Sequence, residues 1–244
     1  MVMRNILIIS MLVINSTVVP GQKTYERDTI PTSNGNLVIT FIGHSSLQFE
    51  YQDKFLYIDP VGQIADFSSF PKADAILVTH EHGDHLDPAA IGKLAKPGTD
   101  VYLTALCQPK YPAGKICKND SFVIAAGVAV EVVPAYNVIS RRGNGLPYHP
   151  KGDGNGYVLI FGQTRVYVAG DTELTSDMAK IKNINIAFLP VAEPYTMPVY
   201  MAVEAVKILK PQIFYPYHLN STIPDQIKTA LMGSLIDVRI RSMK

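Results

Sequence analysis

The chain has 244 residues, with 22 Lys and Arg against 21 Asp and Glu for a formal net charge of +1. That length suits one domain of ordinary to large size, and 47 % hydrophobic residues suffice for a sizeable core. The charges are nearly balanced and no long run of one sign occurs, so nothing supplies the basic footprint of a nucleic-acid binder.

The first segment, MVMRNILIISMLVINSTVVPGQ, reads as an address rather than as structure. Arg4 precedes an apolar run from Ile6 to Ile14 that is too short to span a bilayer comfortably, and small, turn-forming residues follow. This pattern predicts a signal peptide over residues 1–21, cut just before Gln22. Export to the periplasm follows, with no stable membrane insertion after cleavage. An uncleaved membrane anchor is the competing reading. Losing Arg4 with the leader leaves a net charge of zero, and residues 22–244 form a single domain.

Strand signals come next. NLVITFIG and SLQFEYQDKFLYIDP are apolar, β-branched or aromatic, broken by turn residues, and predict a hairpin or meander. ADAILVTH reads as a short buried strand, and PAAIGKLAK as a short helix with Pro at its start and Pro-Gly after its end. VYLTA, FVIAAGVAVEVVPAY, YVLIFGQTRVYVAG and IAFLP continue as strands, while ELTSDMAKIK and YMAVEAVKILKP read as helical. Strands first, then strands mixed with helices, predict sheets covered by helices in one domain. Cys107 and Cys117 enclose QPKYPAGKI; in an oxidising compartment they could pair, or they are two unrelated buried thiols, and their spacing is not that of a metal site. One segment breaks the order. NVISRRGNGLPYHPKGDGNG, Asn137 to Gly156, is rich in Gly and Pro between tightly flanking strands, and a loop of that length points to function.

The densest chemistry lies in AILVTHEHGDHLDP, Ala75 to Pro88. His80 and His82 are two residues apart, so in extended backbone both rings project from one face and can converge on one cation. Gly83 lets the chain turn sharply. Asp84 and His85 then arrive at the start of the following helix, aimed at a second point. The result is two adjacent half-sites, one all-nitrogen and one of nitrogen plus carboxylate.

This pattern strongly resembles the metallo-β-lactamase superfamily, whose first metal motif is H-x-H-x-D-H, matched by His80, His82, Asp84 and His85. TFIGHSS followed by YIDP resembles the entry strands of its small lactonase-like and phospholipase-D-like branch. YVAGDT resembles the aspartate motif, and FLPVAEPYTMP with YPYH resembles the branch's later signature. The resemblance runs from Leu37 to His218. It implies an α+β, four-layer αββα sandwich with a dinuclear site at one edge. Two divalent ions are implied, zinc first and manganese as the alternative, with Asp171 bridging them and His218 as the last ligand.

The chain departs from the pattern at the third histidine. Many relatives carry it where VVPAYN here has Asn137, and an amide is a poor zinc ligand beside imidazole. The six histidines are His44, His80, His82, His85, His149 and His218, so His149 in the glycine-rich loop is the only good substitute. Three arrangements stay open: His149 as ligand, Asn137 weakly bound or holding a water, or a single fully occupied metal. His44 reads as a residue supporting a ligand or contacting substrate. Asp59 either accepts the free N–H of a ligand histidine or merely shapes the Asp-Pro turn.

The implied activity is metal-dependent hydrolysis of a small ester-like molecule, a lactone or a phosphodiester, by a metal-bound hydroxide. Asp171 and Asp84 are the catalytic carboxylates, the first holding the metal pair and the second orienting the hydroxide. No G-x-S-x-G elbow is present. Arg141, Arg142 and Lys151 could grip an anionic substrate or form a solvated charged loop. The alternatives are an exported β-lactamase and, motivated by Asn137, a degenerate metal-binding protein without catalysis. The partner implied is a small-molecule substrate.

Overall fold

Short turns and alternating burial build the first sheet. The structure, a computed structural model, describes residues 24–219 and 224–243, so the leader read over residues 1–21 lies outside the described residues. Strands β1 (Glu26–Thr32), β2 (Gly35–Gly43), β3 (Ser46–Tyr51) and β4 (Lys54–Ile58) form an antiparallel meander. The β3–β4 hairpin closes through Gln52 and Asp53, at φ +49° and +58°, the left-handed pair that matches the twist of a two-residue hairpin. Strands β5 (Ala75–Leu77), β6 (Asp100–Leu103) and β7 (Lys115–Ile116) then extend the sheet in parallel.

The second sheet repeats the plan. β8 (Ser121–Ala125), β9 (Val128–Ala135), β10 (Gly154–Phe161) and β11 (Thr164–Val168) are antiparallel neighbours. β12 (Ile186–Pro190), β13 (Ile213–Tyr217) and β14 (Asp237–Val238) continue in parallel. The two seven-stranded sheets pack face to face around Phe41, Phe49, Phe161, Phe188 and Tyr215, with the Phe188 and Tyr215 rings stacked at 4.9 Å.

Helices cover both outer faces. α1 (Pro88–Leu94) buries Ile91 and Leu94 against the first sheet; Pro88 opens it, and the Asp87 carboxylate accepts from the Ala89 and Ala90 amides. α2 (Val199–Leu209) and α3 (Pro224–Ala230) cover the second sheet, with Ala202, Ala205, Val206 and Ile227 inward. The layers therefore run αββα, as the resemblance implied.

Two readings need correction. ELTSDMAKIK forms only a 3-10 turn at Met178–Lys180. The Asp177 carboxylate does not cap a helix there, because Tyr136, Lys151 and Lys180 occupy it. For Cys107 and Cys117 the pairing alternative falls and the other, two unrelated buried thiols, holds: both are free, Cys117 in the core between the sheets and Cys107 in the core under α1.

Strands β2, β4, β5, β9, β11 and β13 all point the same way along the sandwich. Just past their ends stand His44, Asp59, His80, Asn137, Asp171 and His218. One edge of the molecule thus collects nearly every polar residue that the sequence singled out, at the carboxyl ends of strands.

Candidate metal centre

Three imidazoles converge first. His80 Nε2 lies 3.0 Å from His82 Nδ1, and the donor atoms of His80, His82 and His149 all fall within 4.8 Å of one another. His149 reaches this point from the long loop because Asn137 holds it. Asn137 Oδ1 accepts from the His149 backbone amide at 2.8 Å and from His149 Nδ1 at 2.7 Å. That second bond puts the proton on Nδ1 and leaves Nε2 as a lone-pair donor, 3.4 Å from Asp171 Oδ2. Asn137 and His149 therefore belong to one device, with the ring offering the ligand atom and the amide orienting it.

A second point gathers His44, Asp84, His85 and His218. Asp84 Oδ2 stands 3.2 Å from His44 Nε2 and 3.9 Å from both His85 Nε2 and His218 Nε2. Asp84 is about half-exposed, and the His44 hydrogen bond holds its carboxyl well below the usual carboxylate range. Between the two points sits Asp171, its Oδ1 3.5 Å from His85 Nε2 and its Oδ2 3.4 Å from His149 Nε2 and from His218 Nε2. Its position depends on Gly170, at φ +65°, where an added Cβ would lie 2.6 Å from the Asn155 carbonyl and 3.2 Å from Thr79 Cβ.

Asp59 fixes the first histidines from below. Its buried carboxylate accepts from the Thr79 amide at 2.7 Å, the Thr79 hydroxyl at 2.6 Å and His85 Nδ1 at 2.8 Å. The Thr79 hydroxyl, having donated to Asp59, accepts from His80 Nδ1 at 3.0 Å. One carboxylate thus sets the tautomer of His85 directly and of His80 through Thr79, leaving Nε2 of each ring free. Asp59 is more than a turn former. His44, Asp59 and His218 also stand at φ +52°, +43° and +50°, three non-glycine residues held in the left-handed region at one site. Such strain, about 1–3 kcal/mol per residue, persists where surrounding contacts over-determine it, as the His218 amide to His44 carbonyl bond does here.

Electrostatics and unmet hydrogen bonds agree on what fits. Burial pushes His85 and His149 down to about 3 and His80 and His218 well below the ordinary imidazole value, so these rings are neutral donors at pH 7. Burial pushes the Asp171 carboxyl well up, with Asp84 and Asp59 adding like-charge repulsion. His85 Nε2, Asp171 Oδ1 and both His218 ring nitrogens are buried without a hydrogen-bond partner. Three of these, His85 Nε2, Asp171 Oδ1 and His218 Nε2, face the same region, and leaving them unpaired costs several kcal/mol unless cations satisfy them. Neutral imidazoles, carboxylates and a shortage of positive charge fit divalent metal ions.

The structure also separates the loop cations. Arg142 lines the cavity, about 400 Å³, that opens onto the site between Asp84, Tyr148, Asp171, Tyr195 and His218. Arg141 does not; its guanidinium donates to the Gly145 carbonyl. Lys151 pairs instead with Asp177 at 2.7 Å and lies over the Tyr136 ring. Gly83 is not needed for the turn, since its φ is ordinary and an added Cβ would meet nothing within 4 Å. His85 sits in that turn, with its amide bonded to the His82 carbonyl, before α1 begins.

Sequence reasoning missed Thr79, Tyr148, Tyr195 and Glu173. Glu173, fully buried, accepts from the Val138 and Ile139 amides at 2.6 Å and the Ser140 amide at 3.0 Å, clamping the start of the loop. Only proximity to motif residues could have flagged any of the four. A larger cavity, about 700 Å³, lies against the first sheet between Arg27, Glu50 and Phe70, with no histidine in its lining.

Comparison with known proteins agrees with this geometry. The sequence model of the beta-lactamase superfamily domain matches residues 38–218. A UPF0173 metal-dependent hydrolase of Nanoarchaeum equitans is 32% identical over 190 residues, covering 75% of this chain and 84% of that protein. The crystal structure of a Parabacteroides distasonis protein, named as a metal-dependent hydrolase, superposes with a TM-score of 0.86 at 45% identity, covering 91% of this chain and 100% of that one. Igni18, a metallo hydrolase of Ignicoccus hospitalis, shares the fold with a TM-score of 0.66 at 23% identity, covering 84% and 94%.

Proposed function

We propose, for a chain that belongs to the metallo-β-lactamase superfamily and is a metal-dependent hydrolase, that it binds two divalent ions, zinc by preference, and opens a small lactone or phosphodiester. The carrying observation is the set of orphaned buried atoms on His85, Asp171 and His218 beside the three-histidine point. His80, His82 and His149 would hold one ion, Asp84, His85 and His218 the other, and Asp171 would lie between them. Ions so held activate water and polarise the scissile group.

The chain's own residues supply the rest. Asp59 and Thr79 keep His80 and His85 in the ligating tautomer, and Asn137 does the same for His149. Asp84, half-exposed in the cavity lining and kept ionised by His44, is placed to accept a hydrogen bond from an attacking water and orient it. Tyr148 and Tyr195, their rings edge-on at 5.1 Å, wall the cavity on the loop side. A cavity of about 400 Å³ suits a small molecule.

Metal analysis of protein purified without chelator, followed by a panel of lactones, phosphodiesters and a chromogenic β-lactam, tests this reading. We expect two ions per chain and turnover of a lactone or phosphodiester. β-Lactam turnover alone, or two metals with no turnover of any ester, would refute it. Export follows from the leader as a further part of the proposal. Intact mass of the periplasmic protein should correspond to a start at Gln22, and a full-length mass in the membrane fraction would overturn that part.

A further inference from the structure

The outward face of the first sheet carries a polar row beneath the cavity of about 700 Å³. Arg27, Thr40, Gln48 and Tyr57 stand opposite one another across β1, β2, β3 and β4. Both ends of the row are satisfied by the fold. The Tyr57 hydroxyl donates to the Pro71 carbonyl at 2.7 Å, so towards Gln48 it can only accept. Gln48 Nε2 therefore faces it, at 3.1 Å, and Gln48 Oε1 is turned away. At the other end Arg27 Nη2 donates to Glu50 at 2.8 Å.

The middle of the row is unmet. Thr40 and Gln48 are only 5 % and 4 % exposed, and both line the cavity. Yet the Thr40 hydroxyl and Gln48 Oε1 have no hydrogen-bond partner among the described residues. Buried polar atoms are nearly always paired, so two unpaired ones on a cavity floor point to a molecule that meets them. The walls above are apolar, formed by Phe55, Ile64 and the Tyr25 and Phe70 rings, whose centroids are 5.2 Å apart. The carboxylates at the rim are already engaged, Glu50 by Arg27 and Asp66 by Lys93, each at 2.8 Å. An apolar enclosure with a few convergent polar atoms and no unpaired charge suits an uncharged ligand.

We propose that this cavity is a second small-molecule site, which takes an uncharged aromatic amide. The amide N–H donates to Gln48 Oε1, its carbonyl accepts from the Thr40 hydroxyl, and the ring lies among Tyr25, Phe55 and Phe70. Side chains directly opposite on neighbouring strands stand about 5 Å apart, a span that the adjacent donor and acceptor of one amide bridge. An aromatic ring adds buried area and edge contacts with the wall rings. The site shares no lining residue with the cavity at the metal centre. It therefore needs neither metal nor turnover and is independent of the hydrolase reading.

Benzamide is the probe, titrated into the purified protein and followed by two-dimensional amide NMR, once with zinc and once with EDTA. Saturable shifts should appear at the backbone amides of Thr40, Gln48, Phe55 and Phe70 under both conditions, and Asp84, Tyr148 and Tyr195 should stay still. Acetophenone keeps the shape and the carbonyl but lacks the N–H, and benzoate replaces the amide with an anion that meets Gln48 Oε1 and Glu50. Each should bind about 5-fold or more weakly than benzamide, the size of one neutral hydrogen bond. Thr40→Val keeps the shape and removes the hydroxyl, and it should weaken benzamide by a similar factor while leaving zinc affinity unchanged. No saturable shift, shifts gathered at the metal centre, or acetophenone or benzoate binding as tightly as benzamide overturns the site. Wild-type affinity in a folded Thr40→Val does the same, and if that variant does not fold the three probes on wild type decide.

Discussion

Asp59→Asn isolates the contribution of one buried hydrogen-bond hub. The carboxylate accepts three bonds, two at Oδ2 from the Thr79 hydroxyl and His85 Nδ1, and one at Oδ1 from the Thr79 amide. An amide of the same shape offers one acceptor and one donor. With its NH₂ in the Oδ2 position it faces His85 Nδ1–H, and relief requires the proton to move to Nε2, the atom that would ligate. Turned over, the NH₂ faces the Thr79 amide instead, and a fully buried backbone donor goes unpaired. Burial pushes the Asp59 carboxyl up to about 8 against the pull of its Thr79 bonds, so the loss is set by the buried donor left unpaired rather than by a full charge: about 1–3 kcal/mol, or roughly 10- to 100-fold in metal affinity. Competition with a zinc chelator measures the affinity, and thermal melting with and without metal separates a folding defect from a ligation defect. The expected signature is a large loss of metal affinity with a smaller loss of metal-free stability. A variant that holds zinc as wild type does would refute the tautomer argument, because no orientation of the amide preserves all three bonds.

Five other substitutions test the remaining parts of the site. His149→Ala should lower metal occupancy about as much as His82→Ala, while Asn137→Ala should cost about 10- to 100-fold in affinity by freeing the ring; if Asn137→Ala strips metal and His149→Ala does not, the ligand is misassigned. Asp171→Asn removes the charge that neighbours His85, His149 and His218, so metal content should fall toward one ion per chain with activity down by several orders of magnitude, consistent with the several kcal/mol that metal polarisation supplies; two ions and near-normal turnover would sink the dinuclear reading. Glu173→Gln probes the loop clamp through pH: burial pushes the Glu173 pKa up, but the Ile139, Ser140 and Val138 amides outweigh it and the net shift is downward. A depressed carboxyl stabilises the fold above its unfolded value, about 4.3, so the stability gap between wild type and Glu173→Gln should be full at pH 6 and close as pH falls below 4 in denaturant titrations.

The layers of this fold were legible because strands of period two and the apolar spacing of α2 leave direct marks on the sequence. β1 was not, because ERDTIPT has little apolar alternation, and its half-buried Asp28 is placed by Arg239 and Arg241 from the far end of the chain. β13 hides behind Pro216, which reads as a breaker yet sits inside a parallel strand opposite Leu189. ELTSDMAKIK looked helical by composition, but Asp177 is recruited by Tyr136 and Lys151 from other segments, which no local pattern reveals. The same distinction divides the site. His80, His82, Asp84 and His85 are contiguous and readable by spacing. Thr79 and Glu173 act through bonds to residues 20 and 33 to 35 positions away, and such bonds exist only once the sheets have packed.

In the proposed site Asn137 takes the place of a motif histidine without leaving a gap in the ligand set. The superfamily pattern places a histidine where this chain has the amide, and sequence alone makes that a candidate for lost function. In space the two positions are partners: the Asn137 backbone N–H donates to the His149 carbonyl at 2.9 Å, and the His149 backbone N–H donates back to Asn137 Oδ1 at 2.8 Å. On the proposed assignment, a ligand moved twelve positions along the chain returns to nearly the same point, because Asn137 and His149 are bonded to each other. Ordering a long loop costs conformational entropy, which would weaken a ligand borne on it. Here the cost is met within the fold, by Glu173 on the loop's first amides, by the bond that closes the Arg142 hairpin, and by the Asn137–His149 pair itself. The same anchoring keeps Arg142 and Tyr148 at the cavity wall. The proposed site thereby ties the His149 ring and the cavity-lining side chains Arg142 and Tyr148 to one segment, so anything that loosens Glu173 should weaken metal binding and substrate binding together.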